Sequence, residues 1–295
     1  MKTRSKSFIF PEDQNKDKTP KARSGPNINL FSILLNPDEN YIRSLKSFQT
    51  KSYSVNPLAA HFIPALHRQK IIEWVLEASL KFSSIHTFCS SVKIIDQFLT
   101  ATSISLSPGH LQLIAASCLF IASKLHDQIP IRLRVLTNKI CSNRFSIDQV
   151  TRMEEVILMT LEFNVNFVDV LTFFEFISWK VRCDVRTYNS CIALILALQM
   201  NYEILKYFDE EIAVACLKLA LDQGDKAGVE GGNRMVFDEF VENVGVERIK
   251  CICDEIIGFC GTLDIRGVDI NRILLLLKNK LGAKCKFFFL NKKSM

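Results

Sequence analysis

Along this chain apolar residues recur at helical spacing in one block after another, with short polar punctuation between blocks. "LHRQKIIEWVLEASLKF", "TFCSSVKIIDQFLTAT", "SPGHLQLIAASCLFIASKL", "IRLRVLTNKIC" and "SIDQVTRMEEVILMTLEF" follow one another between Leu66 and Phe163. Each carries apolar positions three and four apart, the stripe of an amphipathic helix. All eight prolines lie at or before Pro130, and no glycine falls between Gly25 and Gly109 or between Gly109 and Gly224. Helix breakers are thus absent where long helices need them absent. No stretch shows sustained β-alternation bounded by turn residues. The pattern predicts an all-α chain. Ser107-Pro108 and Ser146 stand where helices should start. Upstream, "NPDENYIRSLKSF" predicts a short helix with Asn36 as N-cap, Pro37 at the first position and acids in the first turn, followed by a linker, "VNPLAAHFIP".

The pattern also repeats. "IAASCLFIA" (Ile114–Ala122) returns 98 residues later as "IAVACLKLA" (Ile212–Ala220), and "MEEVIL" (Met153–Leu158) is echoed by "CDEIIG" (Cys253–Gly258). Two helical modules of about 100 residues follow, each built around one central helix. In the first copy apolar residues cover almost every angle, which marks a helix surrounded by other helices. Small residues at Ala115, Ala116, Ser117, Ala122 and Ser123 would let those neighbours approach closely. Five helices per module is the simplest arrangement. One residue breaks the repeat. Lys124 closes the first copy, but the second has Asp222 in its place. A lysine outside the shared packing pattern is expected to serve a purpose local to the first module.

Composition changes this picture little. Hydrophobic residues make up 48% of the 295 positions, with 22 phenylalanines, which is enough for a packed core. The net charge of +6 divides into +4 over residues 1–27 and +6 over residues 278–295, leaving −4 between them. The basic excess belongs to two tails expected to be flexible and solvated, with a role in nuclear import or weak nucleic-acid binding as the functional alternative. The ten cysteines include no CxxC pair and mostly sit inside apolar runs, as buried free thiols do. No apolar run reaches membrane-span length and the first residues lack a secretory h-region, so neither membrane nor secretion is expected.

The chain offers little for catalysis. The glycine-rich "GDKAGVEGGN" (Gly224–Asn233) lacks the Lys-Ser/Thr of a phosphate-binding loop and reads as a surface loop. The histidines at 61, 67, 86, 110 and 126 fall into no metal-binding frame. Glu154-Glu155 and Glu210-Glu211 are adjacent on helices, so their side chains diverge by about 100° and cannot share a substrate. An enzyme is not expected, nor a metal or other cofactor.

"RQKIIEWVLEA", "IIDQFL", "LQLIAASCLFIASKL" and "TRMEEVILMTLEFNV" resemble, in order and spacing, the cyclin box. The resemblance covers roughly residues 37–175 and extends through the repeat to about 262. Its most specific part is "ASKL" followed by "RMEE", with 30 residues between Lys124 and Glu154. It implies two tandem five-helix modules with a short N-terminal helix and flexible basic tails. The divisions are a tail at 1–27, helix and linker at 28–66, an N-terminal box at 67–164, a C-terminal module at 165–262, and a helix and tail at 263–295. It also implies a regulatory subunit that binds and activates a cyclin-dependent protein kinase, in the nucleus or cytoplasm. In cyclins the lysine and glutamate that match Lys124 and Glu154 contact the main chain around the start of the kinase's activation helix. Leu125, Leu158 and Phe163 match apolar positions against the kinase, and Asp127 matches an acidic one.

By the same resemblance, Arg68 and Glu73 should form a pair within the fold, while Ile71, Trp74 and Gln112 match a hydrophobic patch that docks substrates or inhibitors. The sequence departs there. Mitotic members read Met-Arg-Ala-Ile-Leu where this chain has His67-Arg68-Gln69-Lys70-Ile71, so two apolar contacts are replaced. The N-terminal tail has no Arg-x-x-Leu motif, and "LQLIAASCLFIASKL" with the following "IPI" looks most like G1, D-type members, although a Leu-x-Cys-x-Glu motif is missing. The expected role is therefore G1/S-like, with a transcriptional kinase as the rival partner. The alternatives of other classes are a DNA-binding factor of the transcription factor IIB type, disfavoured by the missing zinc ribbon and the acidic core, and a helical scaffold of the same fold without kinase binding.

Overall fold

The computed structural model describes residues 44–47, 58, 61, 63–223 and 231–262. The expected tails, most of the N-terminal helix and of the linker, and the C-terminal helix lie outside them. Every regular element among the described residues is helical: α1 Ala65–Phe82, α2 Ile85–Ala101, α3 Leu111–His126, α4 Leu133–Val135, α5 Ile147–Thr160, α6 Val170–Lys180, α7 Val185–Leu198, α8 Asp209–Gln223, α9 Gly231–Val244 and α10 Val246–Thr262. The all-α expectation holds. Ser44–Ser47 are also helical.

Local chemistry explains most helix starts. Ser84 caps α2 by accepting the Thr87 N–H, and Asp169 caps α6 by accepting the Thr172 N–H. Asp184 takes the N–H groups of both Arg186 and Thr187 at the head of α7. Each satisfies amides that the first helical turn leaves without partners. Ser146 opens α5 with a reciprocal capping box: its hydroxyl accepts the Gln149 N–H, and Gln149 Oε1 accepts the Ser146 N–H. Ser107 and Pro108 start a single 3₁₀ turn that feeds α3.

Two expectations need correction. "IRLRVLTNKIC" is not one α-helix; α4 passes after one turn into a π-helical turn over Leu136–Ile140. The Thr137 hydroxyl donates back to the Leu133 carbonyl, and the Cys141 N–H reaches five residues back to the Leu136 carbonyl. A back-bonding threonine competes with the α ladder and bends it. The glycine-rich stretch is not loop throughout, because Gly231, Gly232 and Asn233 already belong to α9. Phe237 and Val241 further along that helix are buried, and such packing outweighs the roughly 1 kcal/mol that each glycine costs a helix.

Both repeated segments form buried helices. In α3, Ile114, Ala115, Ala116, Cys118, Leu119 and Ala122 are fully buried, and in α8 so are Ala213, Val214, Ala215, Cys216 and Leu217. Helix α3 packs on α1, α2 and α5, while α8 packs on α6, α7, α9 and α10. Small side chains at these positions permit close approach: the Ser117 hydroxyl reaches the Val150 carbonyl of α5, and the Cys253 thiol of α10 lies 3.7 Å from the Ala215 carbonyl. Burial pushes the Cys118 and Cys216 thiols well above their usual range, so both behave as small apolar groups.

Polar ties join the two sets of helices. Lys93 of α2 meets Asp209 at the head of α8 at 2.6 Å. Arg68 of α1 grips Asp96 of α2 with two parallel bonds of 2.8 and 2.7 Å and donates a third, 2.9 Å, to the Gln199 carbonyl at the end of α7. The Arg68 and Asp96 side chains are 1% and 2% exposed. The carboxylate that grips Arg68 is therefore Asp96, where the sequence pointed to Glu73. Positions 68 and 73 share α1 but lie five residues apart, about 140° around the helix, so Glu73 projects from another side.

Candidate functional site

Helix α3 emerges from the core at its C-terminal end. Up to Ser123 it is almost wholly buried; Lys124, Leu125 and His126 are exposed. The exit is held firmly. The Asp127 N–H closes the helix on the Ser123 carbonyl, the Ser123 hydroxyl donates to the Phe120 carbonyl, and the Ile131 N–H returns to the Ser123 oxygen. Lys124 thus stands on a fixed base. Its side chain is 41% exposed and its ammonium lies 4.1 Å from the centroid of the Phe120 ring, a cation–π contact.

Glu154 comes from α5, one turn beyond Val150, whose carbonyl accepts the Ser117 hydroxyl. That packing aims the carboxylate at Lys124, and the Lys124 ammonium donates to Glu154 Oε1. Glu154 is only 14% exposed, so its stem is wedged while the lysine is more open. The pair joins a donor of three hydrogen bonds to an acceptor of several. In the free protein each saturates the other. A polar main chain laid across them can accept from one and donate to the other, and the small worth of an exposed ion pair makes that exchange easy.

Apolar side chains flank the pair. Leu125 is exposed and Leu158 is half-buried. Beyond α5, Glu162 and Phe163 adopt left-handed backbone (φ 50° and 60°), and the Phe163 N–H returns to the Leu158 carbonyl. This closure usually carries a glycine. Here it holds a phenylalanine ring 65% exposed. Ile129 and Met159 are also strongly exposed and were not singled out in the sequence. The signal was present: Ile129 stands in the short "QIPI" connection, and Met159 follows Leu158 at the end of α5.

Asp127 behaves differently from expectation. Its Oδ1 accepts the Ser84 N–H at 3.1 Å and the Thr87 hydroxyl at 2.8 Å, an anion at the N-terminus of α2 where the helix dipole favours it. The acid's visible task is to tie the end of α3 to the start of α2. Beside it, His86 and His126 stack with ring centroids 6.4 Å apart, and His86 Nε2 meets Glu175 Oε1 at 3.2 Å. The bond to Glu175 raises the His86 pKa above the ordinary imidazole value, whereas burial lowers that of His126.

The second expected surface is only partly open. Ile71 and Trp74 are half-buried on α1, between exposed His67 and Lys70. Gln112 is engaged within the fold, its Oε1 accepting from Arg144 at 2.7 Å.

The arrangement brings Lys124, at the exposed end of α3, into one ion pair with Glu154 from the middle of α5, at the surface of an all-α fold. Comparison with known proteins gives a domain family. Residues 38–166 match the family model described as "Cyclin, N-terminal domain". Relatives include the G2/mitotic-specific cyclin-B of Emericella nidulans (28% identical over 158 residues, 52% of this chain and 32% of that protein). The G2/mitotic-specific cyclin-B2 of Rana japonica is 26% identical over 200 residues, 68% and 50% of the two chains. Cyclin-D3-2 of Arabidopsis thaliana is 25% identical over 166 residues, 53% and 44%. The matched stretch thus spans half or less of these relatives' own lengths. The fold matches a viral cyclin from herpesvirus saimiri with a TM-score of 0.55 at 18% identity, over 78% of this chain and 95% of that one. Through residues 38–166 the chain carries a cyclin N-terminal domain.

Proposed function

We propose that this protein binds and activates a cyclin-dependent serine/threonine protein kinase, and that Lys124 and Glu154 together grip the main chain at the start of the kinase's activation helix. That helix carries the glutamate which must pair with the ATP-binding lysine before phosphoryl transfer. The observation that carries the reading is the Lys124–Glu154 pair itself, formed on the rigid end of α3 and bordered by Leu125, Leu158 and Phe163. A pre-ordered donor–acceptor pair flanked by apolar anchors is what a helix-positioning surface requires. Ile129 and Met159 extend the apolar border.

The division into an N-terminal box (67–164) and a C-terminal module (165–262) belongs to the same proposal, with α3 and α8 as the two central helices. In it, α8 supports the fold and α3 meets the kinase. Timing in the cell cycle is proposed as G1/S-like, supported by the resemblance of residues 111–125 to D-type members and by the Cyclin-D3-2 relative; B-type relatives make a mitotic role the competing outcome. Residence in the nucleus or cytoplasm follows from the partner.

The test is affinity purification of the full chain, followed by kinase assay of the purified complex. Wild type should bring down a cyclin-dependent kinase and raise its activity, and Lys124→Ala and Glu154→Ala should each lose about 30-fold or more in affinity, the 2–5 kcal/mol typical of truncating a hydrogen-bonded interfacial charge. Near-wild-type binding by Lys124→Ala would overturn the assignment of this pair; purification without a kinase would point to a scaffold.

A further inference from the structure

A second surface lies at the corner between α6 and α7, apart from the residues assigned to the kinase. Trp179, in the last turn of α6, is 55% exposed. Tryptophan gains more from burial than any other side chain, so an indole held this open invites a partner. It borders a groove of about 560 Å³ lined by Ser178, Trp179, Lys180, Arg182 and Cys183, within the size range of side-chain and ligand pockets. Val185, across the turn, is also strongly exposed.

The turn is rigid and its arginine is held in an unusual state. The Arg182 N–H donates to the Trp179 carbonyl and the Cys183 N–H to the Ser178 carbonyl, closing α6 through Arg182 in the left-handed region (φ 49°). Glycine is the usual occupant, and any other residue there costs about 1–2 kcal/mol. Phe163 sits in the same backbone state and is likewise strongly exposed. Arginine at this corner carries a standing backbone cost, the kind of strain that gathers at ligand sites, and it lines the groove together with Trp179.

The charge of the groove is one-sided. Lys180 lies 5.5 Å from the Trp179 ring, and among the described residues neither Lys180 nor Arg182 forms an ion pair. The nearby acids are occupied. Asp184 accepts the Arg186 and Thr187 N–H groups and the Thr187 hydroxyl. Glu175 meets His86 and accepts from the Tyr188 hydroxyl. Cys183 adds no negative charge, since burial pushes its thiol up to about 12.

We propose that this groove docks a short acidic peptide segment of a partner protein, with an apolar side chain of the segment on Trp179 and its carboxylates on Lys180 and Arg182. Two cations lining one groove with an exposed indole suit a few carboxylates. A nucleic acid would need a longer basic track. The proposal does not depend on the kinase assignment.

The experiment is fluorescence anisotropy with the full chain and three labelled peptides of about twelve residues: glutamates around a central Leu-Pro-Leu, the same with glutamines, and glutamates alone. The acidic, leucine-bearing peptide should bind, and its affinity should fall as salt rises above about 0.1 M, where screening sets in. The other two peptides should bind at least tenfold more weakly. Trp179→Ala and Arg182→Glu should each weaken binding at least tenfold. Arg182→Gly, which relieves the backbone strain, should raise the melting temperature while still weakening binding, so loss of affinity is separated from loss of fold. Equal binding of the glutamine peptide, binding insensitive to both substitutions, or no binding by any of the three overturns the proposal. So does a single-stranded oligonucleotide or a phosphatidylserine vesicle that binds in a Trp179- and Arg182-dependent way while the peptides do not.

Discussion

Removing the Asp96 carboxylate tests how the fold is held. In Asp96→Ala the Arg68 guanidinium, 1% exposed, loses both of its parallel bonds to Asp96. It keeps the Gln199 carbonyl at 2.9 Å and the Tyr202 ring at 6.0 Å, neither of which carries the charge it has lost. An uncompensated buried charge of this kind costs about 3–5 kcal/mol. For a folding unit of this size each kcal/mol shifts the melting temperature by about 2–4 °C, so the variant should melt about 6–20 °C lower. Asp96→Asn keeps an acceptor and the shape, and should fall between wild type and Asp96→Ala. Arg68→Met combined with Asp96→Leu removes both charges from an apolar site, and should recover most of the loss, because replacing a buried pair is far cheaper than breaking one. Scanning calorimetry on the four variants, read as a double-mutant cycle, decides the matter. A loss below about 1 kcal/mol for Asp96→Ala, or a double variant as unstable as the single, would refute the reasoning. Because Arg68 also holds the Gln199 carbonyl, hydrogen exchange at the C-terminal end of α7 should quicken in Asp96→Ala.

Four further outcomes follow from the geometry. In free protein, Lys124→Ala should cost no more than about 1 kcal/mol of stability, since the Lys124 side chain is 41% exposed and water can take its place on the carboxylate; a larger drop in melting temperature would make the pair a structural strut. Phe163→Gly should raise the melting temperature, relieving about 1 kcal/mol or more of left-handed strain, yet weaken kinase binding; unchanged affinity in a titration would remove Phe163 from the interface. Lys218→Ala should leave kinase activation near wild type, because Lys218 pairs with Asp222 one turn away on the same helix at 3.1 Å, whereas Cys216→Asp should unfold or aggregate the chain by burying an unpaired charge; lost activation in well-folded Lys218→Ala would refute that division of labour. The His86–Glu175 bond raises the His86 pKa, so its stabilisation is present below about pH 6.5 and fades as pH rises through the elevated value. Glu175→Gln should therefore cost up to about 1 kcal/mol near pH 6 and progressively less toward pH 8.5, and a melting difference that grows with pH would contradict that sign.

How much of this was readable beforehand depends on the range of the interaction. Helices α3 and α8 stood out because a helix buried on all sides must be apolar on all sides, a property written in consecutive residues. The cap at Ser146 was visible for a similar reason, since a capping box needs four adjacent positions. The π turn after α4 was not visible: Thr137 is an ordinary helix residue until its hydroxyl turns back onto the Leu133 carbonyl. Gly231 and Gly232 misled because local propensity favours a loop, and only packing further along α9 overrides it. The Arg68–Asp96 pair joins residues 28 apart and the Asp127–Thr87 bond residues 40 apart; periodicity carries no information about such partners. Lys124 and Glu154 were brought together by resemblance in spacing, since nothing in either helix alone names the other. Trp179 and Arg182 went unnoticed because an exposed indole and a left-handed arginine have no sequence signature.

The position of Lys124 at the tip of α3 has an evolutionary consequence. The helix that presents the lysine is also the one around which its neighbours are packed, with eight of its residues fully buried. It can neither slide nor rotate without disturbing α1, α2 and α5 together. Descendants of this chain could not change partner by moving α3, since each such step would first cross a trough of instability. Drift in specificity is confined to side chains that stand clear of the core, Leu125, Ile129, Met159 and Phe163. Related proteins should therefore share the lysine's location while differing more freely in the apolar residues around it.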